Sequence, residues 1–120
     1  EFQKAIESYQ TATTRLPSFS EAWRARGIAE MKKADELSYL HRGEADKYYR
    51  DAIRSFSRMN EELQEDTSVK KELARAFIRT GDANRALSLL TSIPSGSADP
   101  EVNSLFQEAN TRMNTGNSGL

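Results

Sequence analysis

The sequence predicts an all-helical fold, and three observations support this prediction. Apolar residues recur at steps of three and four along most of the chain, which aligns them on one face of a helix. Strand signals are weak, because valine occurs only at Val69 and Val102 and no alternating run of β-branched residues is present. Helix breakers are few, with three Pro and six Gly in 120 residues. We therefore expect one helical domain of ordinary size.

The first two helices are bounded by a proline and a glycine. The first helix is predicted over residues 2–16 and ends at Pro17. The second is expected to begin near Ser20, with Ser18 and Ser20 as the capping side chains. It then continues for about 20 residues until Gly43 closes it in the left-handed conformation.

The next helices are separated by capping residues and one glycine turn. The third helix is predicted over residues 43–63, after which Thr67 or Ser68 caps the fourth. In the following turn Gly81 supplies a positive φ, and Asp82 caps the fifth helix.

The last helix is predicted to follow a loop over residues 94–100. Asp99 is its expected cap, and Pro100 occupies the favourable first helical position. The helical pattern fades near Gly116, so residues 117–120 are predicted to form a flexible tail.

Composition excludes several classes of function. The chain has 17 Lys+Arg against 18 Asp+Glu, and this net charge of -1 provides no general attraction to nucleic acid or an anionic membrane. No apolar run approaches the roughly 20 residues needed to cross a bilayer. The absence of cysteine removes disulfides, thiolate nucleophiles and Cys-based zinc sites, and it leaves the redox compartment open. We expect no nucleic-acid partner and no membrane insertion.

No set of residues with a catalytic or metal-binding pattern is found in the sequence. His41 is the single histidine and the best candidate for acid–base chemistry near neutral pH, but a lone imidazole at a predicted helix end more often interacts with the helix dipole. The carboxylates of residues 46–66 lack a calcium-loop pattern. Ser95-Gly96-Ser97 lacks the following Lys of a phosphate loop. We therefore predict a protein that is not an enzyme and has no cofactor and no metal.

An internal repeat organises the predicted helices. Gly81 and Gly116 lie 35 residues apart in what are predicted to be equivalent turns, and Gly27 and Ala74 are predicted to occupy equivalent small positions. Two motifs of a small residue followed by large apolar ones recur after 34 residues: Ala52-Ile53-x-x-Phe56 and Ala86-Leu87-x-x-Leu90. This period equals the length of the tetratricopeptide unit.

With these motifs the chain resembles the tetratricopeptide repeat (TPR) family. Ala5-x-x-x-Tyr9-x-x-Ala12 and Trp23-x-x-x-Gly27, with Pro17 between them, match the spacing of the family consensus. The resemblance implies an α-α superhelix, a TPR-like solenoid of about six antiparallel helices. The residues expected to pack between helices are Ala5, Tyr9, Ala12, Trp23, Gly27, Ala52, Phe56, Ala74, Gly81 and Ala86.

The resemblance divides a single helical repeat domain, residues 1–116, into four parts. Its units are a half repeat (1–19), an extended repeat (20–66), a full repeat (67–100) and a half repeat or capping helix (101–116). The chain departs from the family where Lys70 and Leu105 replace the aromatic of Trp23, and where Glu30 occupies a usually aromatic position. We expect these residues to belong to a longer array.

The extended repeat carries an insertion. Ala5 and Ala52 are 47 residues apart, which is 13 more than one 34-residue period. With Gly43 as the turn, both helices of this repeat are expected to project by about 6–14 Å. Contacts among Leu37, Leu40, Tyr48 and Tyr49 are predicted to hold the hairpin together. A long hairpin without a role and a projecting element that contacts a partner both stay open.

The resemblance also implies a binding surface, the concave groove lined by the first helix of each repeat. The groove-facing positions implied are Glu21, Arg24, Ile28 and Met31 in the second helix, Ser68, Lys71, Arg75 and Ile78 in the fourth, and Asn103, Phe106 and Asn110 in the sixth. Cations of this set suit carboxylates of a bound peptide. The alternative is an ordinary solvated helix face. The carboxylate-clamp set of chaperone-binding relatives is not reproduced.

Three functional hypotheses follow from the resemblance. The first is a protein–protein interaction scaffold or adaptor that binds a peptide or helix of a partner protein in the groove. The second is self-assembly into a homo-oligomer through the apolar faces of the terminal helices, formed by Phe2, Ile6, Tyr9, Leu105, Phe106 and Met113. The third is a regulatory segment attached to an enzyme elsewhere in a longer chain.

Overall fold

A computed structural model describes residues 2–94 and 99–118, and this part of the chain consists of helices joined by short turns. This confirms the predicted all-helical class, and no strand occurs within these ranges. The helices are α1 (Phe2–Arg15), α2 (Ser20–Leu37), α3 (Arg42–Ser57), α4 (Glu61–Gln64), α5 (Thr67–Arg79), α6 (Ala83–Thr91) and α7 (Pro100–Ser118).

Each long helix packs against the next one along the chain. The pairs α1–α2, α2–α3, α5–α6 and α6–α7 are in contact, and α3 packs on α5. The connections within α1–α2, α2–α3 and α5–α6 have only three or four residues, so these neighbours run antiparallel. The helices α2, α5 and α7 also lie side by side, because α5 contacts both of the others.

One core cluster lies mainly between α2 and α3. Phe56 is its largest fully buried side chain, and Tyr49 and Met31 are also buried there. Gly27 of α2 lies directly against the Phe56 ring, since a Cβ added at Gly27 would be 2.6 Å from Phe56 Cε1. The close approach of α2 and α3 therefore requires glycine at this position.

A second core cluster joins α5, α6 and α7, and it contains no buried aromatic residue. It contains the buried residues Ala74, Ile78, Ala83, Ala86, Leu90, Ile93, Val102, Leu105 and Ala109. Phe77 and Phe106 pack against its edge and are only half-buried.

The third predicted helix is shorter than expected. It ends at Ser57 instead of about Leu63, and the short α4 follows as a separate element. Asn60 causes the break, because its side-chain oxygen accepts the Leu63 amide at 2.9 Å and its own amide donates to Ser20 Oγ at 2.9 Å. These bonds compete with continuation of the helix.

Two of the predicted N-caps are wrong. Ser18 and Ser20 do not cap α2, because Ser20 lies inside the helix and its hydroxyl accepts the Asn60 amide. Neither Thr67 nor Ser68 caps α5, because Asp66 precedes both and accepts the amides of Ser68 and Val69. Asp carries two acceptor oxygens and a charge that suits the positive helix end.

The predicted closure of the second helix at Gly43 is also wrong. The helix α2 ends at Leu37, and Gly43 lies within the first turn of α3. The chain reverses over residues 38–41, where Ser38 keeps the right-handed helical conformation and His41 has a φ of -136°. The Ser38 hydroxyl donates to Asp35 O and the His41 amide to Leu37 O, both at 2.8 Å. A left-handed glycine is therefore not needed.

The turn and cap predictions in the second half hold, except at its end. Gly81 has a φ of 90°, and the Asp82 side chain accepts the Arg85 amide at 3.1 Å. Asp99 accepts the amides of residues 101 and 102, and α7 begins at Pro100. Gly116 lies within α7 and not in a turn, which glycine tolerates at a cost of about 1 kcal/mol relative to Ala. Residues 117 and 118, predicted as a tail, are helical.

Both helices of the α2–α3 pair, where the insertion is predicted, are longer than α5 and α6. With 18 and 16 residues, they exceed α5 and α6 by five and seven residues, or about 8 and 10 Å of helix. Leu37, Tyr48 and Tyr49 pack on the core of this pair as predicted. Leu40 does not, because it lies in the turn beyond the end of α2 and is 81% exposed, next to the 93% exposed Tyr39.

Candidate protein-binding site

A cleft between α2 and α5 brings together four of the residues predicted to face a groove. It has a volume of about 300 Å³. Its walls are formed by Arg24 and Ile28 of α2, Phe56 of α3, Ser68, Val69, Lys71 and Glu72 of α5, and Glu101 of α7. We call it the α2–α5 cleft. It combines one apolar side with several charged groups.

Lys71 is held by two carboxylates at the α7 end of the cleft. Its ammonium group contacts Asp99 at 3.0 Å and Glu101 at 3.3 Å. The hydrogen bond to Asp99 raises the pKa of Lys71, and the same bond lowers the pKa of Asp99. Lys71 thus links α5 to the start of α7, and its charge is neutralised inside the molecule.

Arg75 is also paired within the chain. Its guanidinium donates to Asp35 of α2 at 2.7 Å and to Glu72 of its own helix at 2.8 Å. Partial burial is the largest single influence and disfavours the charged form, but the hydrogen bonds and charges of Asp35 and Glu72 together outweigh it, and the pKa of Arg75 is raised. The Tyr49 hydroxyl donates to the same Asp35 at 2.6 Å, and burial together with this carboxylate raises the pKa of Tyr49 to about 12.

Arg24 differs from the other two cations because no described carboxylate forms an ion pair with it. Its one side-chain hydrogen bond is a long one of 3.4 Å, donated by Nη2 to Ser68 Oγ. Its Nε is the single buried side-chain nitrogen or oxygen of the described residues that lacks a hydrogen-bond partner. The Ser68 hydroxyl donates to Asp66 at 2.6 Å and lowers the pKa of Asp66. Arg24 is therefore the cation of the cleft with unused hydrogen-bonding capacity.

The remaining groove-facing predictions fall outside the cleft. Ile78 is wrong as a surface position, because its side chain is fully buried in the second core cluster. Met31 is likewise buried, between α2 and α3, since the long hairpin covers it. Glu21, Asn103 and Asn110 are exposed, and Phe106 is half-buried against the second core, but the cleft is lined by none of these four.

Half of the ten predicted packing residues are buried. Gly27, Ala52, Phe56, Ala74 and Ala86 are buried, whereas Gly81 is exposed in its turn. Ala5, Tyr9, Ala12 and Trp23 are half-buried.

The Trp23 side chain, near the start of α2, is held by one hydrogen bond and two guanidinium groups. Its indole N–H donates to Pro17 O at 2.8 Å. The guanidinium groups of Arg26 and Arg58 lie 5.1 and 5.5 Å from the ring centroid, within the range of a cation–π interaction.

Two of the three residues that depart from the tetratricopeptide pattern, Glu30 and Lys70, are charged and buried. Glu30 is 1% exposed, accepts the Ser55 hydroxyl at 2.6 Å and pairs with Arg26 at 3.3 Å. Burial raises the pKa of Glu30. Lys70 is 5% exposed and donates to Glu65 at 2.9 Å and to Ser92 Oγ at 3.0 Å. Both charges join neighbouring helices by bonds to side chains distant in sequence.

The apolar residues assigned to self-assembly are not a free face. Ile6 and Leu105 are buried, and Phe2, Tyr9, Phe106 and Met113 are half-buried. Packing of α1 on α2 and of α7 on α5 and α6 covers them.

His41 occupies a different place from the predicted one. It is exposed and directly precedes α3, so it lies at a helix N-terminus instead of a C-terminus. The described ranges contain no group of three or more His, Cys, Asp or Glu side chains arranged to hold a metal ion. Within the same ranges, no helix has the length and apolarity that a bilayer crossing requires.

Sequence reasoning missed the acidic partners of the cleft. The pair Glu72–Arg75 is readable from its i, i+3 spacing on a helix. Asp99 and Glu101 reach Lys71 only because α7 packs on α5, and no local pattern indicates that contact. No family model, curated protein or solved structure matches the chain.

Proposed function

We propose that this chain is a tetratricopeptide-like helical repeat module that binds a peptide segment of a partner protein and has no catalytic role. The order of helix packing supports the repeat interpretation. In a solenoid of helical pairs, each helix packs on the next and the first helices of successive pairs lie side by side. The contacts α2–α5 and α5–α7 follow this order, as do the contacts between consecutive helices.

The unpaired guanidinium of Arg24 at the wall of the α2–α5 cleft is the observation that carries the proposal. A planar guanidinium binds a carboxylate through two parallel hydrogen bonds. The half-buried Ile28 offers apolar surface in the same cleft, and the buried Phe56 and Val69 form the wall behind it. The ligand that fits is a peptide with a carboxylate next to an apolar side chain.

Lys71 and Arg75 have a different part in this proposal from the one first expected. Because each is already bound to two carboxylates, they shape the cleft by joining α5 to α7 and to α2. A charge reversal at either residue would break these ion pairs between helices as well as change the binding of any ligand. Arg24 is thus the informative position for a binding test.

The test is selection of peptides from a phage-displayed random library on the immobilised chain. Enriched peptides are expected to share an acidic residue, or their own terminal carboxylate, beside an apolar residue. Their affinity is then measured by fluorescence polarisation on the wild-type chain and on Arg24→Ala. Loss of one charge-assisted hydrogen-bonded pair is expected to weaken binding by about tenfold or more.

Arg15→Ala is the matched control, because Arg15 is exposed at the end of α1 and lies outside the cleft. It should leave the affinity unchanged. Enriched peptides without an acidic group, or equal affinity for the wild-type chain and Arg24→Ala, would contradict the site.

A further inference from the structure

A second cavity lies where the long α2–α3 hairpin reaches over α5 and α7. Its volume is about 470 Å³. Three guanidinium groups from three different helices line it, those of Arg42 at the start of α3, Arg79 at the end of α5, and Arg112 in α7. We call it the arginine cavity. It shares no lining residue with the α2–α5 cleft.

The charges around the arginine cavity do not balance. Arg79 and Arg112 share one carboxylate, Glu108, to which Arg112 binds at 3.4 Å. Asp46 lies in the cavity wall and pairs at 2.7 Å with Arg50, which is not among the lining residues. Arg42 is exposed and has no ion pair with any residue that the structure describes.

Four guanidinium groups are thus matched by two carboxylates, Asp46 and Glu108. The nearby Asp35 is not among the lining residues, and its Oδ1 accepts the Tyr49 hydroxyl and Arg75. Among the lining residues and their ion-pair partners, positive charges exceed negative charges by two.

We propose that the arginine cavity binds a phosphate monoester. A phosphate monoester carries close to two negative charges at neutral pH and three strong acceptor oxygens, whereas a carboxylate carries one charge and two oxygens. The dianion therefore matches the excess charge, and guanidinium groups are the preferred donors for phosphate oxygens. The cavity is larger than a phosphate group, which leaves room for the chemical group that bears it. That group is either a phosphorylated side chain of a partner or a small phosphorylated molecule.

The insertion gives this site its third arginine. Arg42 lines the cavity with Arg79 at the end of α5 and Arg112 within α7 because α2 and α3 are longer than α5 and α6. The projecting hairpin, whose role the sequence leaves open, is on this proposal the wall of an anion site.

The experiment is an NMR titration of the ¹⁵N-labelled chain with three probes. They are inorganic phosphate, a Gly-Gly-phosphoserine-Gly-Gly peptide and the same peptide without phosphate. Spectra are recorded at about pH 7.5, above the second phosphate pKa of about 6. We expect the phosphorylated probes to shift the amides of residues 38–46 and the Nε–H signals of Arg42, Arg79 and Arg112. The unphosphorylated peptide should shift none of them.

Arg42→Gln is the decisive variant, because it breaks no ion pair of the described structure and so leaves the fold intact. It should weaken phosphopeptide binding by about tenfold. Arg15→Gln is the matched control and should bind as the wild type does.

Tighter binding of the phosphopeptide than of inorganic phosphate supports a phosphorylated partner, and equal binding supports a small phosphorylated molecule. The absence of shifts with both phosphorylated probes would overturn the proposal. Equal affinity of Arg42→Gln and the wild type would overturn it too.

Discussion

The two helix pairs α2–α3 and α5–α6 fill equivalent positions with side chains of different size. In α2–α3, Gly27 leaves room for the ring of Phe56. At the positions 47 and 34 residues further on, α5–α6 has Ala74 and Leu90, both fully or almost fully buried in the second core. A larger side chain on one helix is thus matched by a smaller one on the other. The summed side-chain volume is therefore similar in the two pairs, although the volume at each single position differs.

The buried charges of the two pairs show the same compensation. The α2–α3 pair buries Glu30, which is matched by Arg26 and the Ser55 hydroxyl. The region of α5–α6 buries Lys70, which is matched by Glu65 and Ser92. The sign of the buried charge differs, but in both cases hydrogen-bond partners satisfy it, which is the condition for burying a charge at all.

The largest expected effect comes from removing the aromatic ring that dominates the α2–α3 pair. Phe56→Ala should lower the free energy of unfolding by about 3–5 kcal/mol, because it removes the largest fully buried side chain and leaves a cavity beside Gly27. Urea denaturation followed by circular dichroism measures it. Phe19→Ala is the control, since Phe19 is 48% exposed, and it should cost far less. A similar loss in both variants would contradict the dominant role of the ring.

A smaller effect tests the volume match directly. Gly27→Ala should destabilise by about 1–3 kcal/mol, because its Cβ would overlap the Phe56 ring. Gly43→Ala makes the same change in α3 with no atom within 4 Å and should be neutral or stabilising by up to about 1 kcal/mol. Adding Phe56→Leu to Gly27→Ala recreates the Ala/Leu combination of α5–α6.

In a double-mutant cycle measured by urea denaturation, this pair should be coupled by more than about 0.5 kcal/mol. The double variant should be more stable than the sum of the two single changes predicts. Strict additivity would mean that the two positions do not share their volume.

The helix caps provide a third contrast, of about 1 kcal/mol. Asp66→Ala should cost roughly 0.5–2 kcal/mol, because its side chain accepts two amides at the start of α5. Ser18→Ala should change little, since no side chain caps α2. Both are measured by thermal denaturation. A larger loss for Ser18→Ala than for Asp66→Ala would be inconsistent with the observed caps.

The smallest effect is a pH dependence confined to the α2–α3 pair. Burial raises the pKa of Glu30 above 4.5, so between that value and the raised pKa the folded state binds more protons than the unfolded chain. Stability therefore falls as pH rises through this window. Glu30→Gln should remove this part of the slope, as measured by urea denaturation at a series of pH values. Glu44→Gln, at an exposed position of α3, should keep the slope; loss of the slope in this control would contradict the assignment to Glu30.

Local signals in the sequence predicted much of the fold, and they failed where distant residues compete. The start of α2, the Gly81 turn and the caps at Asp82 and Asp99 need only neighbours along the chain, and these predictions are confirmed. The end of α3 was predicted too late, because the Asn60 backbone amide donates a hydrogen bond to the Ser20 hydroxyl, forty residues away. At the candidate site, Arg24, Ile28 and Lys71 were expected from the resemblance to the tetratricopeptide family, and all three line the cleft.

The sequence by itself determined the helical class, the helix faces and the charged residues available for binding, because periodicity and capping are properties of a few consecutive residues. Only the tertiary structure decided which charges remain unpaired. Carboxylates 28 to 40 residues away form ion pairs with Lys71, Arg75 and Arg79. No described carboxylate forms an ion pair with Arg24 or Arg42. The physical reason is that an ion pair depends on a distance of a few ångströms between helices, and that distance is set by how α2, α5 and α7 pack.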